Sequence, residues 1–155
     1  MNAMHKILFV CHGNICRSPT AQYLLEHLVS QAGRKEEFFI DSAATSDDEI
    51  GNPIYPPSRR KLQAEGIPVG NHRATRLTRQ DYDRFDLIIG MDQQNRQNIL
   101  RIVGDDPQGK VHLLLDYTPH PASIADPWFT GDFDLAYDEI LRGCQGLLSS
   151  LTEGR

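Results

Sequence analysis

The sequence has no long run of apolar residues. None of its stretches approaches the roughly 18 consecutive apolar residues that a membrane-spanning helix requires. The N-terminus also lacks a basic segment followed by a long apolar run, which is the pattern of a secretory signal peptide. We therefore expect a cytoplasmic protein with no membrane partner.

An excess of basic residues is also absent. The chain carries 16 Lys and Arg residues against 21 Asp and Glu residues, which gives a formal net charge of -5. Such a charge disfavours sequence-independent binding to nucleic acid, whose phosphates attract basic surfaces. We therefore expect no nucleic-acid partner, and any site for an anion must be built locally.

Cysteine is scarce, with three residues in the chain. An odd number of cysteines cannot form a closed disulfide framework, and a domain of this size does not need one. Cys11, His12 and Cys16 lie close together, but no second pair of ligands completes a tetrahedral zinc site. We therefore predict no metal and no cofactor. Cys144 has helical core spacing and is interpreted as a small buried apolar residue.

The chain has the composition of one globular domain, with 39% hydrophobic and 24% charged residues. Short apolar runs rich in strand formers alternate with segments of helical periodicity. The predicted strands are Ile7–Val10, Phe38–Ile40, Phe85–Met91 and Val111–Leu115. The predicted helices are Ser18–Gly33, Ser58–Glu65, Gln93–Ile102 and Phe133–Leu148.

Capping residues mark the ends of these helices. Ser18 is predicted as the N-cap of the first helix, and Asp92 as the cap of the third. Gly33 is predicted to close the first helix. Residues 41–53 and 117–132 are predicted as loops, because both contain turn residues.

Strands that alternate with helices predict an α/β fold, because right-handed crossover helices connect parallel strands. We predict a single-domain three-layer sandwich over residues 5–153, with a four-stranded parallel sheet flanked by helices on both faces. In such sheets ligands bind beyond the carboxyl ends of the strands. The loop after the first strand is therefore the first candidate site.

This loop has the residue types of a phosphate site. It runs from Cys11 at the strand end to Arg17 and Ser18 at the mouth of the next helix. Loop amides and the helix N-terminus direct unpaired donors at one spot. Arg17 adds a planar fork that matches two phosphate oxygens, and Gly13 and Asn14 tolerate a left-handed backbone. A phosphate or similar oxyanion is therefore the expected ligand.

Nucleophilic chemistry at Cys11 is predicted from the same surroundings. Cations and helix N-termini favour the thiolate form of cysteine, which is the reactive form. A nucleotide-binding phosphate loop is excluded, because the Gly-Lys-Ser/Thr ending is absent. The alternative is a buried strand-end cysteine and a surface arginine. The combined spacing, the following Ser18-Pro19 and the position between strand and helix favour the phosphate site.

The loop resembles that of the low-molecular-weight protein tyrosine phosphatases. The similarity runs through Cys11–Pro19, at the same place near the N-terminus. Residues 41–53 resemble the family's second-strand loop. Asp126-Pro127, followed by two aromatic residues, resembles its general-acid loop. The resemblance therefore covers nearly the whole chain in three ordered motifs.

The resemblance implies a metal-independent hydrolase that acts on phosphotyrosine in proteins or peptides through a phosphocysteine intermediate. It implies that Cys11 is the nucleophile, that Arg17 binds the phosphoryl group and that Asp126 is the general acid and base. Taken alone, Asp126-Pro127 is a weak signal, since Asp-Pro is common in turns. The implied substrate-binding residues are His12, Gly13, Asn14, Ile15, Cys16, Ser18, Asp48, Trp128 and Phe129. The implied supporting hydrogen-bond network consists of Asn14, Ser18, Ser42 and His72.

Several positions depart from the family pattern. Asp48 stands where many relatives have an aromatic residue, and His12 stands where an apolar residue is common. Trp128 and Phe129 replace the usual pair of tyrosines. We expect catalysis to survive these changes and substrate selection to differ. A solvated turn residue is the alternative for Asp48, and a loop-packing residue is the alternative for Trp128.

Other functions compete with this interpretation. A thioredoxin-coupled arsenate reductase of similar fold needs further redox cysteines in mid-chain, and none lies between Cys16 and Cys144. A silent phosphotyrosine-binding module or redox sensor is disfavoured by the presence of both Cys11 and Asp126.

Cys16 is a candidate resolving thiol for an oxidised Cys11, with a packed helix-start residue as the alternative. We expect a monomer or weak dimer, and the preference between phosphotyrosine and phosphoarginine stays open.

Overall fold

The computed structural model describes residues 4–152. Its strands are β1 (His5–Cys11), β2 (Phe38–Ala44), β3 (Leu87–Gly90) and β4 (Val111–Leu113). Its α-helices are α1 (Arg17–Gln31), α2 (Pro56–Ala64), α3 (Asp81–Arg84), α4 (Gln93–Val103), α5 (Pro127–Thr130) and α6 (Phe133–Thr152). Of the predicted domain, residue 153 lies outside the described residues.

The strands form one parallel sheet in the order β2-β1-β3-β4. The continuous apolar run of β1 occupies a central position, where both faces of a strand are covered. Each strand is joined to the next by a connection that contains a helix. The predicted four-stranded parallel sheet is therefore confirmed.

Alternate residues of β1 project toward opposite faces of the sheet. Ile7 and Phe9 belong to a buried cluster that includes Leu24 of α1 and residues of α6. Leu8 and Val10 belong to a second buried cluster that includes residues of α4. Helices therefore cover both faces, and the predicted three-layer sandwich is confirmed.

All four strands differ in length from the prediction, with β1 longer at both ends and β3 shorter at both ends. β2 continues through Ala44, because residues 41–44 pair in parallel with residues 8–11 of β1. The loop predicted to begin at residue 41 therefore begins later. β4 ends at Leu113, and Leu114–Tyr117 forms a 3-10 helix. Leu114 and Leu115 are buried in that helix, so an apolar run alone does not distinguish it from a strand.

The predicted N-cap of the first helix is wrong. α1 begins at Arg17, its N-cap is Cys16, and no side chain caps it. Ser18 lies in the first turn, and its hydroxyl is 3.0 Å from Cys11 Sγ. The hydroxyl therefore contacts the preceding loop rather than the helix backbone.

Other predicted helix signals are confirmed. Asp92 Oδ1 accepts a hydrogen bond from the Asn95 amide at 2.7 Å and caps α4. Gly33, with a φ of 72°, follows the end of α1. The short helices α3 and α5 were not predicted, and α5 lies in the predicted loop 117–132. No helix within residues 4–152 is long and apolar enough to cross a membrane.

Candidate active site

The candidate nucleophile lies at the carboxyl end of the central strand. Cys11 ends β1 and Arg17 begins α1, so residues 12–16 form the loop between them, which we call the phosphate loop after its expected ligand. Cys11 is 3% exposed. Its Sγ accepts a hydrogen bond from the Asn14 amide at 3.3 Å and lies 3.0 Å from Ser18 Oγ. Two polar groups of the following loop and helix therefore contact the sulfur.

Asn14 organises the loop from its buried side. Its Nδ2 donates to Ser18 Oγ at 2.8 Å, which leaves the hydroxyl proton available for Cys11 Sγ. Asn14 has a φ of 60°, so the predicted left-handed backbone is confirmed there. Gly13 is not among the described residues with positive φ. A Cβ on Gly13 would approach Glu49 Cγ to 3.3 Å, so this glycine allows close approach of a second loop.

Residues 72–75 hold Asn14 in place. His72 Nε2 lies 2.6 Å from the Asn14 carbonyl oxygen, and the Thr75 amide donates to Asn14 Oδ1 at 3.1 Å. A carbonyl oxygen only accepts, so Nε2 carries a proton. Burial lowers the pKa of His72, although the bond to Asn14 opposes the shift. The neutral Nε2-protonated imidazole therefore suits this position, and Thr75 joins the network without having been predicted.

Ser42 lies beside this network on β2. Its hydroxyl donates to Gln22 Oε1 at 2.6 Å. Its carbonyl oxygen is 3.5 Å from Thr75 Oγ1, and the Thr75 amide in turn contacts Asn14. The structure thus links Ser42 to the phosphate loop through Thr75 and not through the serine hydroxyl.

Arg17 closes the other side of the loop and is 3% exposed. Its Nη1 donates to Asp92 Oδ2 and to the Ile124 carbonyl oxygen, both at 2.7 Å. Its Nη2 lies 3.5 Å from Asp126 Oδ2. Burial opposes the positive charge, but Cys11 and the neighbouring carboxylates hold the pKa of Arg17 above its ordinary value. The guanidinium is therefore a fixed cation beside the sulfur.

Asp92 is a site residue that sequence analysis identified only as a helix cap. One carboxylate oxygen caps α4 through the Asn95 amide, and the other accepts from Arg17. The two partners Arg17 and Asp92 are 75 residues apart. A local pattern identifies the cap, whereas the arginine contact depends on how β1 and β3 pair.

Asp126 occupies the N-cap of α5. Its Oδ1 accepts a hydrogen bond from the Trp128 amide at 3.0 Å, and its Oδ2 faces Arg17. Pro127, the first residue of α5, is buried. An aspartate followed by proline is also a helix-start signal, which is how α5 could have been predicted.

The candidate reacting groups line one cleft of about 230 Å³. The predicted site residues in its lining are Cys11, His12, Gly13, Ile15, Cys16, Arg17, Asp48, Asp126, Trp128 and Phe129. Glu49 also lines the cleft and was not predicted. Asn14 and Ser18 are fully buried and contact the loop from behind.

The rim of the cleft combines carboxylates with exposed aromatic rings. His12 Nε2 lies 2.8 Å from Asp48 Oδ2, and both side chains are exposed. Glu49 lies beside Asp48 in the same wall. Trp128 is 50% exposed and Phe129 is 83% exposed. A group that enters the cleft therefore passes between negative charge and aromatic surface.

The other two cysteines differ from Cys11 in environment. Cys16 is buried, and burial, followed by the negative charge of Cys11, raises the pKa of Cys16 to about 12. Its thiol is therefore protonated at neutral pH, which slows attack on an oxidised Cys11. The resolving role of Cys16 stays a hypothesis. Cys144 is fully buried, as predicted.

Side chains able to hold a metal ion do not cluster in the described chain. Among residues 4–152, no group of three or more His, Cys, Asp or Glu residues is arranged for that purpose. Positive charge at the cleft is supplied by Arg17 and by the N-terminus of α1.

Comparisons with known proteins give one consistent family. The model of the low molecular weight phosphotyrosine protein phosphatase family matches residues 6–155. The Bacillus subtilis low molecular weight protein-tyrosine-phosphatase YfkJ is 36% identical over 150 residues, which cover 96% of each chain. Its crystal structure is similar with a TM-score of 0.95 at 35% identity, covering 99% of this chain and 98% of that one.

Two further proteins extend this similarity to animals. The human low molecular weight phosphotyrosine protein phosphatase is 36% identical over 151 residues, covering 94% of this chain and 95% of its own. The crystal structure of a Drosophila arginine phosphatase is similar with a TM-score of 0.85 at 29% identity. That similarity covers 97% of this chain and 99% of the Drosophila protein.

Proposed function

Because the chain belongs to the low molecular weight phosphotyrosine protein phosphatase family, we propose that it hydrolyses phosphotyrosine in proteins or peptides through a phosphocysteine on Cys11. The observation that carries this proposal is the meeting of Cys11, Arg17 and Asp126 at one cleft. These residues supply a nucleophile, a phosphate-binding cation and a proton donor, which is the set that phosphomonoester hydrolysis requires.

In the first step, the Cys11 thiolate attacks phosphorus. A bond forms between Sγ and phosphorus while the bond from phosphorus to the tyrosine oxygen breaks. That oxygen leaves poorly as an anion, so the protonated Asp126 carboxyl gives it a proton. A positioned acid of this kind typically contributes roughly 10²- to 10⁴-fold to the rate.

In the second step, water attacks the phosphorus of the phosphocysteine. The Asp126 carboxylate takes a proton from the water, and the bond between Sγ and phosphorus breaks. Inorganic phosphate and the Cys11 thiolate result. Ser18 Oγ, 3.0 Å from Sγ, is placed to donate a hydrogen bond to the departing sulfur.

Arg17 binds the phosphoryl group through Nε and Nη2 in this proposal. Both hydrogens of Nη1 are used by Asp92 Oδ2 and the Ile124 carbonyl oxygen. The remaining edge of the guanidinium offers the fork that matches two phosphate oxygens. Together with the loop amides, it stabilises the charge of the transition state, so the proposed reaction needs no metal ion.

The cleft favours flat aryl phosphates over alkyl phosphates in this proposal. Cys11 is almost fully buried, and a tyrosine ring is long enough to bring a phosphate to the sulfur, whereas a serine side chain is not. Trp128 and Phe129 offer exposed rings at the rim. Aromatic pairs contribute about 0.5–1.5 kcal/mol beyond the burial of their surface.

Steady-state kinetics on matched peptides test the proposal. The peptides carry phosphotyrosine, phosphoserine or phosphoarginine in one sequence, and we expect the highest kcat/KM for phosphotyrosine. Phosphoarginine is included because the similar Drosophila protein is an arginine phosphatase. A higher kcat/KM for phosphoarginine would change the substrate class. If the protein binds the phosphopeptides but hydrolyses neither them nor p-nitrophenyl phosphate, it is a silent binding module.

A further inference from the structure

Tyr55 lies between the two segments that carry the reacting groups. Its backbone amide donates to the Ile15 carbonyl oxygen of the phosphate loop at 2.8 Å. Its ring centroid is 4.7 Å from the ring of Trp128, at an interplanar angle of 48°. A second ring, that of Phe133, lies 5.9 Å away. Tyr55 therefore contacts the nucleophile's loop through its backbone and the acid's segment through its side chain.

The segment that carries Asp126 is held at two places. Two residues before Asp126, the Ile124 amide donates to the Met91 carbonyl oxygen at 2.9 Å, and the Ile124 carbonyl accepts from Arg17. Two residues after it, the Trp128 ring rests against Tyr55. Asp126 thus lies between a backbone attachment at Ile124 and an aromatic attachment, the contact of Trp128 with Tyr55.

The aromatic attachment acts on the orientation of the carboxyl. Asp126 Oδ1 accepts its hydrogen bond from the Trp128 amide, so the position of Trp128 helps to set the direction of Oδ2 toward the cleft. α5 has four residues, and Trp128 and Phe129 are both exposed within it. A helix this short has little internal stability of its own.

We propose that Tyr55 is a positioning residue that holds Trp128, and through its amide the Asp126 carboxyl, over the phosphate loop. The inference rests on the proposed function, because it concerns the proton that Asp126 gives to the leaving group. Tyr55 does not line the cleft and touches no reacting atom.

The side chain of Tyr55 can be changed without removing its bond to the phosphate loop. That bond uses the backbone amide, which Tyr55→Ala and Tyr55→Phe both retain. Tyr55→Phe also keeps the ring that packs on Trp128. The two variants therefore separate the ring contact from the loop contact.

The first measurement is kcat/KM for aryl phosphates whose phenols differ in basicity. For Tyr55→Ala we expect a loss of roughly tenfold with phenyl phosphate and of about two- to threefold with p-nitrophenyl phosphate, because poor leaving groups depend most on protonation. Inhibition by inorganic phosphate should stay at the wild-type level. Tyr55→Phe should behave as wild type across the series.

The second measurement uses Trp128, the single tryptophan of the chain. In Tyr55→Ala its emission should move to longer wavelength and become more sensitive to acrylamide quenching, because the ring loses its partner. Thermal unfolding of each variant checks folding, and Tyr55→Leu replaces Tyr55→Ala if the alanine variant does not fold.

The outcomes are distinct. A loss of equal size for all aryl phosphates, or weaker inhibition by phosphate, assigns Tyr55 to the shape of the phosphate loop and overturns the proposal. Unchanged kinetics in Tyr55→Ala also overturns it, while the proposed function stands. A wild-type protein that hydrolyses no aryl phosphate overturns the proposed function, and this inference with it.

Discussion

Arg17 combines a structural role with the chemical role that we propose for it. Nη1 joins two distant parts of the chain, Asp92 and the Ile124 carbonyl, and the opposite edge faces Asp126. The bonds at Nη1 fix the plane of the guanidinium, which is what a bidentate phosphate contact requires. The hydrogen bonds that Nη1 makes within the protein therefore determine which N–H groups of Arg17 remain available for a phosphate.

Replacing the nucleophile tests the covalent mechanism. For Cys11→Ser we expect kcat for p-nitrophenyl phosphate to fall by at least about 10⁴-fold, as when covalent nucleophiles are removed elsewhere. Phosphate binding, measured by calorimetry, should persist because Arg17 and the loop amides remain. Cys144→Ala, at a cysteine remote from the cleft, should keep its activity. Appreciable turnover by verified Cys11→Ser protein would rule out the phosphocysteine.

Replacing the proposed acid tests proton transfer. Asp126→Asn removes the proton donor but keeps a good N-cap for α5, since asparagine caps helices as well as aspartate does. We expect kcat/KM to fall roughly 10²-fold for phenyl phosphate and clearly less for p-nitrophenyl phosphate. The measurement is a plot of rate against leaving-group basicity. A uniform loss would reassign Asp126 to a structural role.

At the scale of elements, α6 packs closely on the segment after β4. A Cβ on Gly146 would overlap the Tyr117 carbonyl oxygen, and one on Gly143 would overlap Leu114. Both glycines lie inside a 20-residue helix, where glycine is otherwise unfavourable. Close packing therefore explains these residues better than helix propensity does.

The Gly146→Ala variant tests this packing. Overlap with a backbone atom costs about 1–3 kcal/mol, and the gain in helix propensity of about 1 kcal/mol offsets part of it. We expect a net loss of up to about 2 kcal/mol in the free energy of unfolding, measured in urea. Gln145→Ala, at the exposed neighbouring position of the same helix, should not lower it. A Gly146→Ala protein more stable than wild type would contradict the packing argument.

The loop that supports Asn14 gives a pH prediction. The folded-state pKa of His72 lies below its ordinary value of 6.5, chiefly through burial. The contribution of His72 to stability is therefore full above pH 6.5 and is lost as the pH falls below it. In His72→Gln a side-chain amide can still donate to Asn14 without titrating. Urea unfolding at pH 7.5 and pH 5 should show the smaller acid loss in His72→Gln, and equal losses would contradict the assignment.

At the scale of the whole molecule, negative charge dominates both the chain and the rim of the cleft. The formal net charge is -5, and Asp48 and Glu49 line the cleft that we propose binds a phosphate dianion. In the proposed complex the phosphate is held by short contacts inside the loop, while the flanking residues of a substrate experience the longer-range field of the carboxylates. Salt screens that field over about 10 Å at 0.1 M.

Peptide charge should therefore change the rate. We expect phosphotyrosine peptides with basic flanks to have roughly two- to fivefold higher kcat/KM than acidic ones at low salt, with a smaller ratio at high salt. Asp48→Asn should reduce the ratio. Asp83→Asn, on α3 at the opposite end of the sheet, changes the net charge equally and should preserve it. If both variants reduce the ratio equally, net charge rather than Asp48 is responsible.

Sequence alone predicted the parts of the site that depend on neighbouring residues. The apolar run of β1, the loop from Cys11 to Arg17 and the cap at Asp92 all lie within short stretches of chain, and the structure has each in place. The ends of β2 and β4 were less predictable. The end of β2 depends on its pairing with β1. The end of β4 is ambiguous in the sequence, because the apolar residues that follow it are buried as well in a 3-10 helix as they would be in a strand.

The sequence by itself determined the α/β layering and the composition of the phosphate loop, because periodicity and local residue types carry both. Only the tertiary structure decided that Asp92 and Ile124 fix Arg17 and that Tyr55 packs on Trp128. The bonds to Arg17 join residues 75 and 107 positions apart. Contacts of that span depend on how the sheet and its loops pack, since no local pattern records which distant side chains will meet.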